Sequence, residues 1–216
     1  MGRKKSFDEQ SVIDAAIAVF SEHGYAGTDV GLVCERANIG RSSFYNTFDS
    51  LDAVFLRALR DYTATSIPLR EELERSLEPA PVLLMHRLRG ELKKQCDDEN
   101  RTGCLSANTA AELGREVDVV CSILDPDRNA WLDTYSGIIE RGQTAGHILA
   151  DIDPRIHAPL IHSVLAGLRI AARVMTTEDV LAQARAFVAG LCTPAGRATL
   201  ETEGAPGAST KGSPTP

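Results

Sequence analysis

The chain has 216 residues, of which 43% are hydrophobic and 25% charged, as in ordinary folded domains. Its formal net charge of −7 excludes binding of polyanions through overall charge, so any contact with nucleic acid must depend on a local patch. No stretch approaches the roughly 20 apolar residues of a membrane-spanning helix, and no apolar run follows "MGRKK" as it would in a signal peptide. The five cysteines show no C-x-x-C spacing, which argues against disulfides or zinc and favours a reducing cytoplasm.

Helices are predicted almost throughout, because no window shows the sustained two-residue alternation of β-branched residues that is typical of strands. Ser6 and Glu9 fit a capping box and predict the start of a first helix, which carries apolar residues at every third or fourth position. Thr28 is predicted to cap a short second helix, and a tight turn separates this helix from a third that begins at Arg41. Ser50 is predicted to cap a longer fourth helix.

The remainder of the chain is also predicted to be mainly helical. Pro126 is expected to kink or interrupt one long helix, because proline lacks the backbone donor that a helix interior needs. Asp153 and Pro154 fit a cap followed by proline at the first helical position, and Thr177 opens the last predicted helix. Gly, Pro, Ser and Thr are frequent in residues 193–216, so this tail is predicted to be disordered.

The stretch "IGRSSFYNTF" fits the second part of a helix-turn-helix, in which the second helix enters the major groove of DNA. Arg41 can donate two hydrogen bonds to a guanine, and Ser42 and Ser43 are short enough to let the helix approach the bases. The residues predicted to contact phosphates, which fix position without reading sequence, are Tyr45, Asn46 and, through its backbone N–H, Thr28. A solvated surface turn is the alternative interpretation of the same composition.

Residues 11 to about 59 resemble the DNA-binding domain of TetR-type transcriptional regulators. The resemblance rests on "AAIAVFSEHGYAGTDV", "VCERANIGRSSFYNTF" and the downstream "LDAVFLRAL". It implies an all-α protein with an N-terminal three-helix DNA-binding domain and a C-terminal helical bundle for effector binding and dimerisation. The implied divisions are 1–50 for the DNA-binding domain, 51–192 for the bundle and 193–216 for the tail.

The resemblance also implies roles for residues of the third helix. Its first three residues, Arg41 to Ser43, lie at base-reading positions, and Tyr45 and Asn46 lie at backbone positions. One departure from the family is Leu51, at a position that usually carries a lysine in contact with a phosphate. The basic residues that would partly replace this contact as a flexible arm are Arg3, Lys4 and Lys5.

Residues 100 to about 175 resemble one branch of the family more loosely. This resemblance rests on "GCLSANTAAEL" and "IIERGQTAGHILADIDP". This resemblance implies a cavity for a small-molecule effector among the middle helices. The candidates for its lining are Met85, Leu88, Cys104, Asn108, Cys121, Trp131, Tyr135 and Leu168. Ordinary core packing is the alternative role for each of them.

The last two long helices are expected to pair with those of a second copy as a four-helix bundle, because their small residues allow close approach. The residues expected to fill the seam are Leu160, Leu165, Leu168, Phe187 and Leu191. A dimer would place two recognition helices about 34 Å apart, as a palindromic operator requires. The alternative is that both helices complete a monomeric core.

Cys104 follows Gly103 at a predicted helix start, where the dipole and free N–H groups favour a thiolate. Some members of this branch use a cysteine in a similar Gly-Cys-Leu context to sense electrophiles or oxidants, so a redox-sensing repressor is one alternative. A small buried side chain is the other interpretation of Cys104.

The sequence carries no catalytic or nucleotide-binding motif, and its five histidines show no metal-ligand spacing. The expected protein is therefore not an enzyme and needs neither cofactor nor metal. It is a homodimeric, cytoplasmic transcriptional regulator, more specifically a repressor, whose partners are an operator in double-stranded DNA and an unidentified small-molecule effector. The alternative from another class is a helical interaction scaffold that binds no DNA.

Overall fold

The computed structural model describes residues 8–98 and 102–203. Within these ranges the chain forms eleven α-helices and no β-strand, which confirms the predicted all-α fold. Among these helices, none combines the length and apolar character needed to cross a bilayer. In chain order the helices are α1 (Glu9–His23), α2 (Val30–Arg36), α3 (Arg41–Tyr45), α4 (Leu51–Ala64), α5 (Ser66–Arg75), α6 (Ala80–Asp97), α7 (Leu105–Leu113), α8 (Asp118–Thr144), α9 (Pro154–Ala171), α10 (Thr177–Gly190) and α11 (Pro194–Glu203).

Side chains that accept backbone N–H groups define the first helix starts. Asp8 caps α1 by accepting the N–H three residues later at 3.3 Å, whereas the predicted cap, Ser6, lies outside the described residues. Asp29 caps α2 in the same way at 2.9 Å, so the prediction that Thr28 caps this helix is wrong by one residue. Ser50 caps α4 as predicted, at 3.1 Å. Aspartate is as good an N-cap as threonine or better, and the two were adjacent in the sequence.

Pro126 lies inside α8, which continues from Asp118 to Thr144. The helix is therefore not interrupted at Pro126, and of the two predicted effects only a kink stays a prediction. A proline removes one helical hydrogen bond, but Ile123 and Trp131 are buried on either side of it and hold both halves of the helix against the rest of the protein. Burial of these side chains outweighs the lost bond.

Two hydrophobic cores organise the helices. The first combines α1, α2, α3 and α4 around buried rings such as those of Phe20, Phe44 and Phe55, and α7 and α8 contribute Leu105 and Ile123 to it. The second core is formed by α5, α6, α8, α9, α10 and α11. Because α4 belongs to the first core, packing is continuous across the predicted boundary at residue 50. Helix α8 contributes to both cores and joins them.

The C-terminal helix α11 corrects the prediction of disorder from residue 193. Leu200 is buried in the second core, and its carbonyl accepts a hydrogen bond from Nη2 of Arg185 at 2.8 Å. Thr193 supports the start of the helix by accepting the N–H of Gly196 at 3.1 Å. The prediction is wrong for residues 194–203, because composition alone could not reveal the single leucine that docks this segment. Residues 204–216 lie outside the described ranges.

Candidate DNA interface and effector cavity

A tight turn joins α2 to α3. Asn38 adopts a left-handed conformation with φ of 52°, which asparagine occupies more readily than most residues. The N–H of Ile39 then donates to the carbonyl of Cys34 at 2.9 Å and closes the end of α2. Gly40 follows in an extended conformation and occupies the N-cap position of α3. The predicted pair of short helices separated by a turn is therefore present.

Helix α3 is anchored on one side and exposed on the other. Phe44 is fully buried, and its ring centroid lies 5.3 Å from that of Phe48, so these two rings hold the helix against the first core. Tyr45 is 59% exposed although tyrosine is a large aromatic residue. The predicted DNA-contacting residues of this helix and its end form one accessible rim, in which Ser43 is half-buried and the others are exposed: Arg41, Ser42, Ser43, Tyr45 and Asn46.

The guanidinium of Arg41 lies over the start of α2. A Cβ atom built on Gly31 would stand 2.6 Å from Nη2 of Arg41, so the absence of a side chain at Gly31 makes room for it. Asp29 is close by, and its carboxyl has a lowered pKa, mainly because it accepts the N–H of Leu32 and to a smaller extent because of the Arg41 charge. Arg41 is thus held beside α2 while remaining exposed.

Thr28 differs from the other predicted DNA contacts. It is buried, its N–H donates to the carbonyl of Tyr25 at 3.2 Å, and its hydroxyl donates to the carbonyl of Gly24 at 2.6 Å. Both of its donors are used inside the protein. Its role in this structure is to close the turn between α1 and α2, and it is not available to a phosphate in this conformation.

A cavity of about 750 Å³ lies among α4, α5, α6, α7, α8 and α9. Three of the eight predicted lining residues face it: Cys104 from the start of α7, and Cys121 and Trp131 from α8. Its volume is within the range of sites that enclose small molecules.

The other five predicted lining residues lie away from the cavity. Asn108 is used for structure, because its Nδ2 atom donates to the carbonyls of Ser21 at 3.1 Å and Thr102 at 3.2 Å. The remaining four are buried in the second core: Met85, Leu88, Tyr135 and Leu168. Sequence pattern could not separate them from lining residues, because a core position and an apolar cavity wall select the same side chains.

Charged residues that sequence reasoning missed form one wall of the cavity. Glu91 pairs with Nη1 of Arg87 at 2.7 Å and with Nη2 of Arg169 on the opposite helix. Burial alone would raise the pKa of Glu91, but the two arginine charges outweigh it and lower the pKa to about 2. The guanidinium of Arg87 also lies 4.1 Å from the ring centroid of Trp131.

A signal for this cluster was present in the sequence. Arg87 and Glu91 alternate with Leu84, Leu88 and Leu92 in α6, so they occupy the buried face of an amphipathic helix. A charged residue in an apolar stripe is rarely buried without a partner. Arg87 and Glu91 have opposite charges and are four residues apart, and this spacing could have identified them as a pair.

Helix α7 contacts the cavity and the DNA-binding helices at once. Cys104 and Ala107 line the cavity, whereas Glu112 accepts the backbone N–H groups of Tyr25 at 2.7 Å and Ala26 at 2.6 Å, just after α1. A displacement of α7 would therefore reach the end of α1 directly. At the cavity end, burial and the neighbouring Cys104 raise the pKa of the Tyr62 hydroxyl, which also lines the cavity.

An exposed recognition helix on a three-helix unit, followed by a helical bundle with a partly enclosed cavity, defines a helix-turn-helix protein with a sensory domain. Residues 12–58 match the family model described as bacterial regulatory proteins, tetR family. Residues 92–188 match the model described as Tetracyclin repressor-like, C-terminal domain. The chain belongs to the TetR family and is a DNA-binding transcriptional regulator.

Individual relatives agree with this assignment. The chain is 26% identical over 174 residues to the HTH-type transcriptional repressor DhaR of Mycobacterium sp. (strain GP1), with 81% of this chain and 86% of DhaR aligned. It is 25% identical to a cysteine mutant of the TetR family regulator CifR complexed with 26-bp double-strand operator DNA, with a TM-score of 0.75 over 88% of this chain and 100% of CifR. A TetR family regulator from Agrobacterium tumefaciens has the same fold, with a TM-score of 0.76, 17% identity and coverage of 85% and 97%.

Proposed function

We propose that the protein is a homodimeric repressor that binds a palindromic operator through α3 and leaves it when a small molecule enters the cavity. The observation that carries this proposal is the exposed polar rim of α3, on the side of the helix opposite to Phe44, which is buried in the first core. The names of DhaR, a repressor, and CifR, bound to operator DNA, support it by similarity. Because the partner is chromosomal DNA, we infer that the protein acts in the cytoplasm, as a regulator and not as an enzyme.

The operator contacts follow from exposure and chemistry. Arg41 is proposed to pair with a guanine, and Ser42 and Ser43 to pack against neighbouring base edges. Tyr45 and Asn46, at the end of α3, are proposed to contact phosphates. Thr28 is left out of the proposed interface because its donors are used in the turn.

We also propose the division of the chain into a DNA-binding domain at 1–50 and an effector-binding and dimerisation domain at 51–192. Helix α4 packs with α1 and also borders the cavity through Tyr62, so it belongs to both functions. Helix α7 has the same double contact. Entry of an effector is proposed to shift α4 and α7, and thereby to change the separation of the two recognition helices.

An exposed stripe on α9 supports dimerisation. Its members recur at alternating steps of four and three residues: Ile156, Leu160, Ser163, Gly167, Ile170 and Val174, which follows the helix end. The apolar members of this stripe are exposed in the single chain. An interface between two copies would bury them. Ala182 and Ala186 are exposed small residues of α10.

The proposed seam differs from the expected one. Among the leucines first assigned to it, Leu160 is exposed, whereas Leu165, Leu168 and Leu191 are buried in the second core of the chain itself. These three leucines therefore complete the monomer, and the exposed stripe takes their place in the dimer. Helical spacing alone could not distinguish the two faces of α9, because both carry apolar residues.

A redox- or electrophile-sensing role for Cys104 is the second candidate. Cys104 is half-buried, lines the cavity and lies beside Tyr62, so a small reactive molecule in the cavity would reach its thiol. Replacement by serine separates the two mechanisms. A Cys104→Ser variant that is still released from the operator by an oxidant excludes sensing through this residue.

Selection of duplexes from a random library, followed by titration with salt, tests the main proposal. A repressor of this kind should recover a palindromic sequence and lose affinity steeply as the salt concentration rises, with a slope of about −0.9 for each phosphate neutralised. Failure to retard any fragment of its own upstream DNA at low salt would refute the proposal. Compounds that release the selected operator then identify the effector.

A further inference from the structure

Two buried arginines share one carboxylate in the cavity wall. Arg87 and Arg169 approach Glu91 from different helices, and each donates to a different oxygen of its carboxylate. Glu91 remains ionised at neutral pH because its pKa is lowered to about 2. The cluster therefore holds two cations and one anion in a partly enclosed space.

The hydrogen-bonding capacity of this cluster is also incomplete. Arg87 is only 7% exposed, and its Nε atom is buried with no hydrogen-bond partner among the described residues. The hydroxyl of Tyr135, 1% exposed and stacked behind Trp131, lies beside Arg87, whose charge and hydrogen bond act against the burial that raises the pKa of this hydroxyl. An unpaired donor that is removed from water costs free energy, so Nε of Arg87 has unused capacity for an acceptor.

Neighbouring charged residues do not neutralise the excess positive charge of this cluster. Asp127 is already paired with Arg70 at 2.7 Å, and Lys94 approaches Glu91 only at 3.6 Å from an exposed position that adds positive charge. Burial and the charge of Arg169 lower the pKa of His162, so this lining imidazole is neutral at pH 7. At the rim, the exposed lining residues of both signs are Arg115, Asp125 and Arg128. One buried positive charge thus lacks a buried counter-ion.

We propose that the cavity binds a small organic carboxylate, with its headgroup at Arg87 and Arg169 and its apolar body against Leu69, Leu124 and Leu165. This inference rests on the proposed function and specifies the class of effector. A planar carboxylate matches the fork of a guanidinium and carries the single charge that the cluster lacks. A phosphate dianion would leave one negative charge unneutralised beside Glu91, which disfavours phosphorylated ligands.

The single tryptophan of the chain gives a direct measurement of binding. Trp131 lies under the guanidinium of Arg87, so an anion that engages Arg87 should change its fluorescence. The probes are straight-chain and aromatic carboxylates of two to ten carbons, each compared with its own primary amide, and inorganic phosphate. We expect at least one carboxylate to bind saturably and about tenfold or more tightly than its amide, since a charge-assisted hydrogen bond is roughly twice as strong as a neutral one.

Variants test which cations are responsible. Arg169→Gln should weaken carboxylate binding about tenfold or more and leave amide binding nearly unchanged, whereas Lys93→Gln, an exposed cation on α6, should have no effect. Glu91→Gln should strengthen carboxylate binding, because it removes the internal competitor for both arginines. If Arg169→Gln fails to fold, the carboxylate–amide comparison in the wild type and the Glu91→Gln variant still decide the matter.

The proposal is overturned if no carboxylate binds more tightly than its amide, if phosphate binds more tightly than every carboxylate, or if Lys93→Gln and Arg169→Gln behave alike. Release of operator is measured separately, by the anisotropy of a labelled duplex. Carboxylate binding without release would leave the anion site in place and refute its role as the effector site. A protein that binds no operator but still binds carboxylates would refute the proposed function alone.

Discussion

The carboxylate of Glu112 accepts the backbone N–H of Tyr25 at 2.7 Å, although the two residues are 87 positions apart. The same carboxylate also accepts the backbone N–H of Ala26. A Cβ atom on Gly24 would lie only 2.8 Å from Oε2 of Glu112, so a side chain at this position would collide with the carboxylate. Gly24 also has φ of 72°, a conformation that glycine adopts without strain. The contact therefore depends on a glycine, a turn and the end of α7 meeting at one point.

Replacing Glu112 by glutamine should loosen this connection between the cavity and the DNA-binding helices. A glutamine offers one neutral oxygen in place of two charged ones, so the free energy of unfolding should fall by about 1 kcal/mol. Release of operator should then require more effector, because less of the displacement of α7 reaches the DNA-binding helices. Urea unfolding and operator titration with increasing effector measure both effects. Glu116→Gln, an exposed neighbour, is the control, and equal behaviour of the two variants would contradict a coupling role.

Arg41→Ala should lower operator affinity by about 1–3 kcal/mol and relax the preference at one base pair. The reason is the loss of a bidentate pair with guanine from the exposed rim of α3. Affinities for the operator and for its single-base variants measure the effect, with Arg75→Ala on α5 as the control for loss of an exposed positive charge. Uniform weakening across all sequences would assign Arg41 to a phosphate instead.

Local rules were sufficient for most of the helical framework. Caps such as Ser50 and the apolar periodicity of α1 and α4 act within a few residues, so they are visible in the sequence. The prediction for Thr28 failed by one residue, whereas at α11 and Pro126 the decisive factor was packing against other helices. Leu200 orders α11 only by docking in the second core, and Pro126 is tolerated only because the flanking helix is buried.

The two candidate sites also differ in how far local sequence determines them. The rim of α3 is made of consecutive residues, so a short motif identified the proposed DNA contacts. The cavity is assembled from six helices, and sequence reasoning placed Cys104, Cys121 and Trp131 there but missed the cluster that includes Arg87 and Glu91. Whether a charged side chain points inward depends on a partner such as Arg169, which lies 78 positions from Glu91.

Ile170→Glu should convert the dimer to monomers. Ile170 is 69% exposed in the isolated chain and lies in the stripe of α9 that is proposed to form the seam, where a charge in each copy would be buried against its counterpart. Analytical ultracentrifugation at micromolar protein measures the change. Leu77→Glu, at a residue that is 99% exposed between α5 and α6, should leave the dimer intact. A dimer that persists in Ile170→Glu would move the interface away from this stripe.

The ion pairs of Glu91 predict a pH dependence with a defined sign. The pKa of Glu91 is lowered from 4.5 to about 2 in the folded protein, so its contribution to stability is complete above about pH 4.5 and is lost as the pH falls toward 2. The contribution is on the order of 3 kcal/mol. Wild type should therefore exceed Glu91→Gln in free energy of unfolding by about that amount at pH 6, and the difference should shrink toward zero near pH 2.

Urea unfolding of both proteins between pH 2 and pH 6 measures this difference, and Glu72→Gln, at an exposed position of α5, is the control that should show little pH-dependent difference. Taking differences between variants removes the contribution of the other acidic groups, which titrate alike in both proteins. A constant difference across the range would mean that Glu91 is not held ionised between the two arginines. The count of one uncompensated positive charge in the cluster, on which the preference for a singly charged carboxylate rests, would then have to be abandoned.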